Sequence, residues 1–237
     1  MITSYSGSIL DGTLHGKGTA QYANNEQYDG EWYHGKRHGQ GSYTYADGSK
    51  YTGQWENDQI RGKGTSIFAN GNKYEGEWEN GKINGKGTLL MANGDRYVGD
   101  WRDGKMHGFG NFICKEGDHY EGDWQFDKRQ GKGVMTYAAV DNNSKIKEKY
   151  EGEWDDDKMN GQGKFYYADG SIYEGSWEDS KMHGKGTYLY PNGDRYDGDF
   201  YEDMKQGNGS LVYRNGEKYE GDRKSTRLNS SHANISY

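Results

Sequence analysis

Hydrophobic and polar residues alternate along the chain in short runs that return every 23 residues. In the run Tyr-Glu-Gly-Glu-Trp at 74–78, the tyrosine, glycine and tryptophan share one face of an extended strand and the glutamates share the other. A second run at 41–45, Gly-Ser-Tyr-Thr-Tyr, alternates in the same way. This period of two predicts short strands, two in each 23-residue unit.

The repeat is fixed by a tyrosine that opens each unit. Successive anchor tyrosines are 23 residues apart, except for a step of 30 from Tyr120 to Tyr150. The anchors are Tyr5, Tyr28, Tyr51, Tyr74, Tyr97, Tyr120, Tyr150, Tyr173, Tyr196 and Tyr219. A period of this size indicates a repeat architecture. We therefore predict an all-β fold, an elongated antiparallel meander of tandem β-hairpins that forms a twisted ribbon of about nineteen strands.

Two kinds of turn join these strands. In the first, Gly81 is replaced by Asp58 and by other aspartates in other units, which indicates a position of positive φ. In the second, the Asp-Gly or Asn-Gly pair first suggests a two-residue hairpin loop. A three-residue loop with Gly48 left-handed is favoured instead, because it pairs Tyr43 with Tyr51 and keeps the aromatic rings on one face. Pro191 in the equivalent loop suits a type I turn.

Three segments are distinguished along the chain. Residues 1–221 form the repeat array. Within it, residues 138–149 hold seven extra residues in a polar stretch, read as an insertion loop at one edge. Residues 222–237 break the period, since Arg223 stands where tryptophan is expected. They also match the translation of a sequencing-adapter read, so we expect a non-native, disordered tail.

Composition favours an ordered but thin structure. Only 30% of the residues are hydrophobic, yet 15% are aromatic. The formal net charge of −7 argues against nucleic-acid binding, which needs a concentrated positive surface. Cys114, the single cysteine, occupies a position that is aromatic or methionine in other units, and we interpret it as a small hydrophobic residue. The sequence contains no signal peptide and no apolar run of about 18 residues, which predicts a cytoplasmic protein.

One row of aromatic side chains is the expected core. The glycines at Gly39 and Gly41 are expected to leave room for a neighbouring ring to lie flat. The tryptophans of this structural row are Trp32, Trp55, Trp78, Trp101, Trp124, Trp154 and Trp177.

No residue pattern points to catalysis, a cofactor or a metal. The recurrent histidines, His15, His38, His107 and His183, are at least one repeat apart, roughly 9.6 Å, which is too far for a shared zinc ion. The paired carboxylates Glu75 and Glu77 belong to the regular outer face and lack a partnering nucleophile. The glycine pairs lack the strand-to-helix context of a phosphate loop.

The repeating unit resembles the MORN repeat, whose name stands for membrane occupation and recognition nexus. The matching residues in one unit are Tyr74, Gly76, Trp78, Gly81, Gly85, Gly87 and the turn Asn93-Gly94. The resemblance covers Tyr5 to Gly221, about nine units. It implies a cytosolic, non-catalytic β-repeat used for scaffolding, often near membranes or the cytoskeleton.

The sequence is compatible with three functions. The favoured one is a non-catalytic scaffold that binds protein partners, with a ciliary or cytoskeletal setting implied by the resemblance. The second is a peripheral membrane or phospholipid-binding module; its candidate lipid contacts are Lys36, Arg37, Lys128 and Arg129. The third is the N-terminal regulatory array of a larger enzyme, such as a phosphoinositide kinase. For the partners of the chain, a weak membrane contact and a homodimer also remain open.

Overall fold

The fold is all-β. The computed structural model describes residues 1–139 and 147–227, and within them it holds nineteen β-strands and no helix. The strands belong to one antiparallel sheet in which each pairs with its neighbours in the sequence, so the predicted meander of hairpins is confirmed.

The first ten strands are β1 (Ile2–Leu10), β2 (Thr13–Tyr22), β3 (Gln27–Tyr33), β4 (Lys36–Thr44), β5 (Lys50–Glu56), β6 (Gln59–Ile67), β7 (Lys73–Glu79), β8 (Lys82–Leu90), β9 (Arg96–Arg102) and β10 (Lys105–Ile113). The others are β11 (His119–Gln125), β12 (Lys128–Thr136), β13 (Lys149–Asp155), β14 (Lys158–Tyr166), β15 (Ile172–Glu178), β16 (Lys181–Leu189), β17 (Arg195–Tyr201), β18 (Met204–Val212) and β19 (Lys218–Arg227).

The backbone divides into two compact units. The first comprises Met1–Lys115 and Trp124–Asp127, and the second comprises Glu116–Asp123 and Lys128–Tyr237. The same hairpin is repeated inside each unit, so each can be understood from one repeat.

The hairpin β5–β6 shows the tight turn. Glu56 pairs with Gln59, which leaves Asn57 and Asp58 as the two loop residues. Their φ values are 50° and 70°, as a type I′ turn requires, and this turn matches the twist of the flanking strands. Gly81 has φ 77° at the position equivalent to Asp58, so the prediction of a positive-φ position is confirmed.

The second connection is the predicted three-residue loop. The N–H of Tyr45 donates to the carbonyl of Ser49 at 2.9 Å, and the N–H of Gly48 donates to the carbonyl of Tyr45 at 3.0 Å. Gly48 is left-handed, with φ 84°, and Tyr43 lies opposite Tyr51. The loop therefore keeps the aromatic side chains on one face of the sheet, and the predicted loop length is confirmed.

A bulge that recurs in hairpins closed by a tight turn is a feature that the alternation did not predict. Between the pairs Gly53–Gly64 and Trp55–Ile60, three residues of β6 face the single residue Gln54 of β5. The middle one, Gly62, has φ 73°. The bulge takes the backbone N–H of Lys63 out of the backbone ladder. This N–H is still hydrogen-bonded, because it donates to the side-chain oxygen of Gln54 at 3.1 Å.

The same bulge assigns a role to an outer-face acid. Glu77 occupies the position of Gln54 in the next repeat, and its carboxylate accepts the backbone N–H of Lys86 at 3.3 Å. Asp100 accepts that of Phe109 at 3.1 Å. These acids hold the bulge in place as well as covering the outer face.

The insertion interrupts one three-residue loop. The N–H of Tyr137 donates to the carbonyl of Glu148 at 3.0 Å, which reproduces the bond between Tyr45 and Ser49. The hairpin ends on either side of the insertion are therefore hydrogen-bonded as in an ordinary three-residue loop. Most of this predicted insertion loop, residues 140–146, lies outside the described residues.

The end of the array requires a correction. β19 extends to Arg227, and Arg223 lies opposite Gly207 while Arg227 lies opposite Met204. The prediction of disorder from Asp222 onward is therefore wrong for residues 222–227, because backbone hydrogen bonds continue the ladder where the aromatic pattern has ended. Residues 228–237 of the predicted tail lie outside the described residues.

Candidate interaction surface

The anchor tyrosines lie flat against glycines. Tyr51 has no exposed surface, and its ring covers Gly53 and Gly64 on two neighbouring strands. A methyl group on Gly64 would place its carbon 2.3 Å from the hydroxyl oxygen of Tyr51. The hydroxyl donates to the carbonyl of Gln54 at 3.1 Å, so the buried polar end of the ring has a partner at the bulge.

The tryptophans connect successive repeats. Trp78 stands edge-on to the anchor tyrosine of its own repeat, Tyr74, at 5.4 Å, and to that of the preceding repeat, Tyr51, at 5.3 Å. Its indole N–H donates to the carbonyl of Gly64 at 3.4 Å. Edge-to-face contacts of this kind are a favoured aromatic geometry and add to the area that the rings bury.

The alternating tyrosines and tryptophans form the core. The structure places all seven row tryptophans in it, with between 4% and 8% of their surface exposed. Phe200 takes the tryptophan position in a later repeat and is 3% exposed. We call these stacked rings the aromatic ladder. Its rings form the buried core on one face of the sheet and leave little exposed ring surface for a ligand to contact.

Gly39 and Gly41 have different roles. The Tyr28 ring lies over Gly41, as expected, and a methyl group on Gly41 would come within 2.2 Å of the hydroxyl oxygen. The expectation is wrong for Gly39. Its φ is 60°, it is the bulge residue, and a methyl group there would meet the carboxylate of Glu31 at 2.5 Å.

A second aromatic row in the second unit is less buried. Phe165 lies 4.5 Å from Tyr167, Tyr167 lies 5.9 Å from Tyr188, and Tyr188 lies 4.9 Å from Tyr190. Phe165 and Tyr188 are buried, whereas the other rings are half-buried and line the edge with three-residue loops. We call this group the inner shelf; its members are Tyr137, Phe165, Tyr167, Tyr188 and Tyr190.

The family model for the MORN repeat matches nine successive segments of the chain. They are residues 5–27, 28–50, 51–73, 74–96, 97–119, 120–139, 150–172, 173–195 and 196–218. The chain belongs to the MORN-repeat family. The predicted number of about nine units is confirmed, and the 30-residue step coincides with the gap between the sixth and seventh MORN repeats.

Similar solved structures share the fold only weakly with this chain. No curated protein matches this MORN-repeat chain. A similar solved structure is the TCP10 domain of Danio rerio CPAP in complex with a STIL peptide, with 10% identity, a TM-score of 0.48, and coverage of 95% of this chain and 100% of that one. Another is the Drosophila melanogaster SAS-4 TCP domain in complex with a proline-rich motif of Ana2, with 14% identity, a TM-score of 0.42, and coverage of 78% and 90%. Similarities this weak carry no functional argument.

The four candidate lipid contacts lie beside the tight turns of the MORN repeats. The Arg37 guanidinium lies 4.4 Å from the Trp55 ring centroid and pairs with Asp58 at 3.0 Å. Arg129 repeats this arrangement, 4.6 Å from Trp154 and 3.1 Å from Asp157.

The two lysines of this candidate group are in different situations. Lys128 forms an ion pair with Asp156, whereas Lys36 is exposed. Only Lys36 therefore extends into solvent without an ion pair among the described residues, while both arginines are part of the turn structure.

The Arg37–Asp58 pair also joins neighbouring repeats. The carboxylate of Asp58 accepts the backbone N–H of Arg37 at 3.0 Å, and the N–H of Asp58 donates to the Arg37 carbonyl at 3.0 Å. Gly81 makes the second bond, to the carbonyl of Ile60, but has no carboxylate for the first. The sequence showed this position only as tolerant of positive φ and gave no sign of the bonds between turns.

The recurrent histidines are packed against aromatic side chains. His15 lies 5.4 Å from Tyr33, and His107 lies 4.9 Å from Phe126. Nδ1 of His183 is 3.1 Å from the carboxylate of Glu178. Across residues 1–139 and 147–227, no group of three or more His, Cys, Asp or Glu residues is arranged to hold a metal ion. The same residues include no helix long and apolar enough to cross a membrane.

Burial sets the electrostatics of the aromatic ladder. It raises the pKa of Tyr51, Tyr74 and Tyr97 well above the usual phenol value of about 10. Their hydroxyls are neutral donors at neutral pH. None of these groups is suited to act as a base, because the phenolate would have to form inside the sheet.

Proposed function

We propose that this MORN-repeat array is a non-catalytic scaffold that binds protein partners in the cytoplasm, in a ciliary or cytoskeletal assembly. The observation that carries the proposal is the inner shelf, a continuous row of aromatic side chains, most of them half-buried, on a hydrogen-bonded sheet. The cellular setting is supported by the family resemblance alone.

The engagement of the polar groups in the repeat supports a non-catalytic role. The Tyr51 hydroxyl bonds the Gln54 carbonyl, the Trp78 indole N–H bonds the Gly64 carbonyl, and the outer acids close the bulges. A general acid or base needs a proton-transfer partner within reach and a pKa suited to the reaction. The ladder tyrosines have neither, since their hydroxyls are buried against the backbone.

The inner shelf has the composition of a protein interface. Tyrosine and phenylalanine are enriched in the contact area of interfaces, and tyrosine offers an apolar ring with a polar tip. Tyr137, Tyr167 and Tyr190 retain part of their surface, so a partner could cover them without unfolding the array. Because the sheet holds the rings in place, little side-chain entropy remains to be lost on binding.

The test is site-specific photo-cross-linking with the full chain in cells. A photoreactive phenylalanine derivative replaces Tyr190 on the inner shelf, and a control carries it at Tyr201, an exposed aromatic position on the opposite face of the second unit. We expect discrete protein adducts from position 190 that are absent from position 201. Equal adducts at the two positions, or none at 190, would contradict binding at the shelf.

A fluorescently tagged full chain tests the cellular setting. We expect it to concentrate at cilia or on cytoskeletal structures, with a tagged Tyr137→Ser, Tyr190→Ser variant less concentrated there. A uniform cytoplasmic signal for both chains would count against the proposed assembly while leaving protein binding open to the cross-linking result.

A further inference from the structure

A row of exposed side chains crosses six neighbouring strands on the outer face of the first unit, opposite the tryptophans. It alternates between cations and aliphatic residues. We call it the outer stripe; its members in spatial order are Lys50, Ile67, Lys73, Leu90, Arg96 and Ile113.

The sheet register places these side chains directly beside one another. Ile67 lies opposite both Lys50 and Lys73, and Leu90 lies opposite both Lys73 and Arg96. Neighbouring strands are about 4.8 Å apart, so successive cations are about 9.6 Å apart with an aliphatic side chain midway between them.

The aliphatic side chains of the stripe are exposed, although the sheet does not use them in its core. Ile67 is 49% exposed, Leu90 is 47% exposed and Ile113 is 39% exposed. Val98 and Phe109, on the same face of β9 and β10, are exposed as well and widen the apolar surface. The sheet core lies on the other face, so these residues add little to folding. Contiguous exposed apolar surface of this kind marks interaction sites.

The cations of the stripe are weakly compensated in an otherwise acidic chain, which has a net charge of −7. Arg96 has no ion pair among the described residues, and Lys73 has an exposed one with Glu75 at 3.6 Å. By contrast, Lys86 on the same face is held 2.6 Å from Asp100. A partner that places carboxylates at the stripe would meet positive charge there, although the chain as a whole repels it.

We propose that the outer stripe binds an amphipathic helix of a partner protein, in which acidic and aliphatic residues alternate along one face. This inference rests on the proposed scaffold function and gives it a second surface and a partner class. Carboxylates of the helix pair with Lys73 and Arg96, and its aliphatic side chains cover Leu90 and Ile113.

The spacing of the stripe favours a helix over an extended segment. Side chains on one face of a β-strand recur every 6.6 to 6.8 Å, which fits neither the roughly 4.8 Å step nor the 9.6 Å step. A polyproline segment repeats every 9.3 Å or so and would meet the cations or the aliphatics in turn, but not both along one line. On an α-helix, residues three or four apart are about 4.5 to 6 Å apart along the axis, and residues seven apart are about 10.5 Å apart. A helix therefore matches approximately both the 4.8 Å spacing and the 9.6 Å spacing of the stripe.

The twist of the sheet limits the contact. Neighbouring strands rotate by about 20–25°, so a straight helix can follow only about four of them. The sector from Lys73 to Ile113 spans β7 to β10 and contains the extra apolar surface of Val98 and Phe109. We therefore place the helix on this sector.

The probe is a synthetic helix of about 18 residues, constrained by side-chain lactams, with Glu at positions i and i+7 and Leu at i+3 and i+10. Fluorescence anisotropy measures its binding to the full chain. A second peptide with the same composition moves the glutamates to the opposite helix face. We expect saturable binding of the first peptide only, and weaker binding as the ionic strength rises from about 0.05 to 0.3 M.

Variants of the chain locate the contact. Arg96→Glu is expected to weaken binding about tenfold or more, because a like charge then faces the helix. Lys63→Glu reverses an exposed charge elsewhere on the same face and is expected to leave binding within about twofold, a difference of roughly 0.4 kcal/mol. Both residues are exposed, so circular dichroism should show unchanged folding.

Several outcomes would overturn the inference. They are an absence of saturable binding, equal binding of the two peptides, or equal effects of the two charge reversals. Vesicles of phosphatidylcholine with phosphatidylserine are a separate arm; lipid binding that Arg96→Glu abolishes would assign the stripe to a membrane instead. If cross-linked partners at Tyr190 persist while the stripe fails these tests, the scaffold proposal stands and only this inference falls.

Discussion

Trp55 donates its indole N–H to the carbonyl oxygen of Gly41, 3.2 Å away on the neighbouring strand. Gly41 is also covered by the ring of Tyr28, which stands edge-on to Trp55 at 5.4 Å. Gly41 thus contacts the tyrosine ring of its own repeat and accepts the hydrogen bond from the tryptophan of the next repeat. The second glycine of each pair is therefore the position on which the contact between repeats depends.

Replacing Gly41 with alanine should destabilise the first unit by roughly 1–3 kcal/mol or more, as overpacking does. Tyr28 is fully buried and has no space into which to move. The matched control is Gly35→Asn, in a tight turn with φ 78° and no neighbour within 4 Å of an added side-chain carbon. Asparagine tolerates that φ. Urea unfolding of the two variants is the measurement, and equal losses would contradict the role assigned to Gly41.

The buried tyrosines predict a loss of stability in alkaline solution. Burial raises the pKa of Tyr28, Tyr51 and Tyr74 above that of the unfolded chain. Above a pH of about 10 the unfolded state loses protons that the folded state keeps, so the free energy of unfolding falls as the pH rises. Below that pH the effect is absent. Because several buried tyrosines contribute, the free energy of unfolding should fall steeply with pH.

Phenolate absorbance followed together with circular dichroism tests this expectation. The buried phenols should ionise only as the sheet unfolds, so the two signals should change at the same pH. Tyr51→Phe should make the fall in stability less steep, because one ionising group is removed. Phenolate formation well before the loss of the sheet signal would argue against the burial-based explanation.

The alternation of residues was enough to predict the strands and one of the turns. Pairing Tyr43 with Tyr51 is compatible with a single aromatic face only if the loop between them has three residues. The bulge at Gly62 could not be found in this way, because a glycine followed two residues later by another also fits a regular strand. Its position depends on the register with β5, to which Gln54 contributes a side-chain bond that no periodicity reveals.

The candidate surfaces were harder to predict than the fold. The sequence predicted the tryptophan row as the core, but it did not indicate the inner shelf of the second unit, parts of which remain exposed. The sequence made Arg37 a candidate lipid contact, yet its guanidinium stacks on Trp55 and pairs with Asp58. The outer stripe was missed because its cations recur only every 23 residues and so do its aliphatic residues, and only the sheet register brings Lys73, Leu90 and Arg96 together.

We predict that the array does not bind acidic membranes through its loop cations. Arg37 and Arg129 are held by Asp58 and Asp157, and the net charge of −7 opposes approach to an anionic surface. The purified full chain should not sediment with phosphatidylserine-containing vesicles at about 0.15 M salt. The same assay on a chain with Lys36, Arg37, Lys128 and Arg129 changed to alanine is the control. Cosedimentation of the unchanged chain that this variant loses would restore these four residues as lipid contacts.

The final prediction concerns how far damage spreads in the ladder. Trp101 is 7% exposed, stands between Tyr74 and Tyr97 at 5.3 and 5.1 Å, and bonds the carbonyl of Gly87 at 3.3 Å. Trp101→Ala should cost about 3–5 kcal/mol, the range for a large buried aromatic.

In a repeat array this loss falls on the altered repeat and its neighbours, since each repeat packs only on the next. Hydrogen exchange on the Trp101→Ala chain should therefore show protection lost in β7 to β10 and retained in β1 to β4 of the same unit, and denaturant unfolding should separate into more than one step. Trp101→Phe is the matched control, because Phe200 fills the equivalent position elsewhere; it should lose less protection. Protection lost evenly from β1 to β10 would mean that the unit has one cooperative core, and the repeat-by-repeat account of its stability would be wrong.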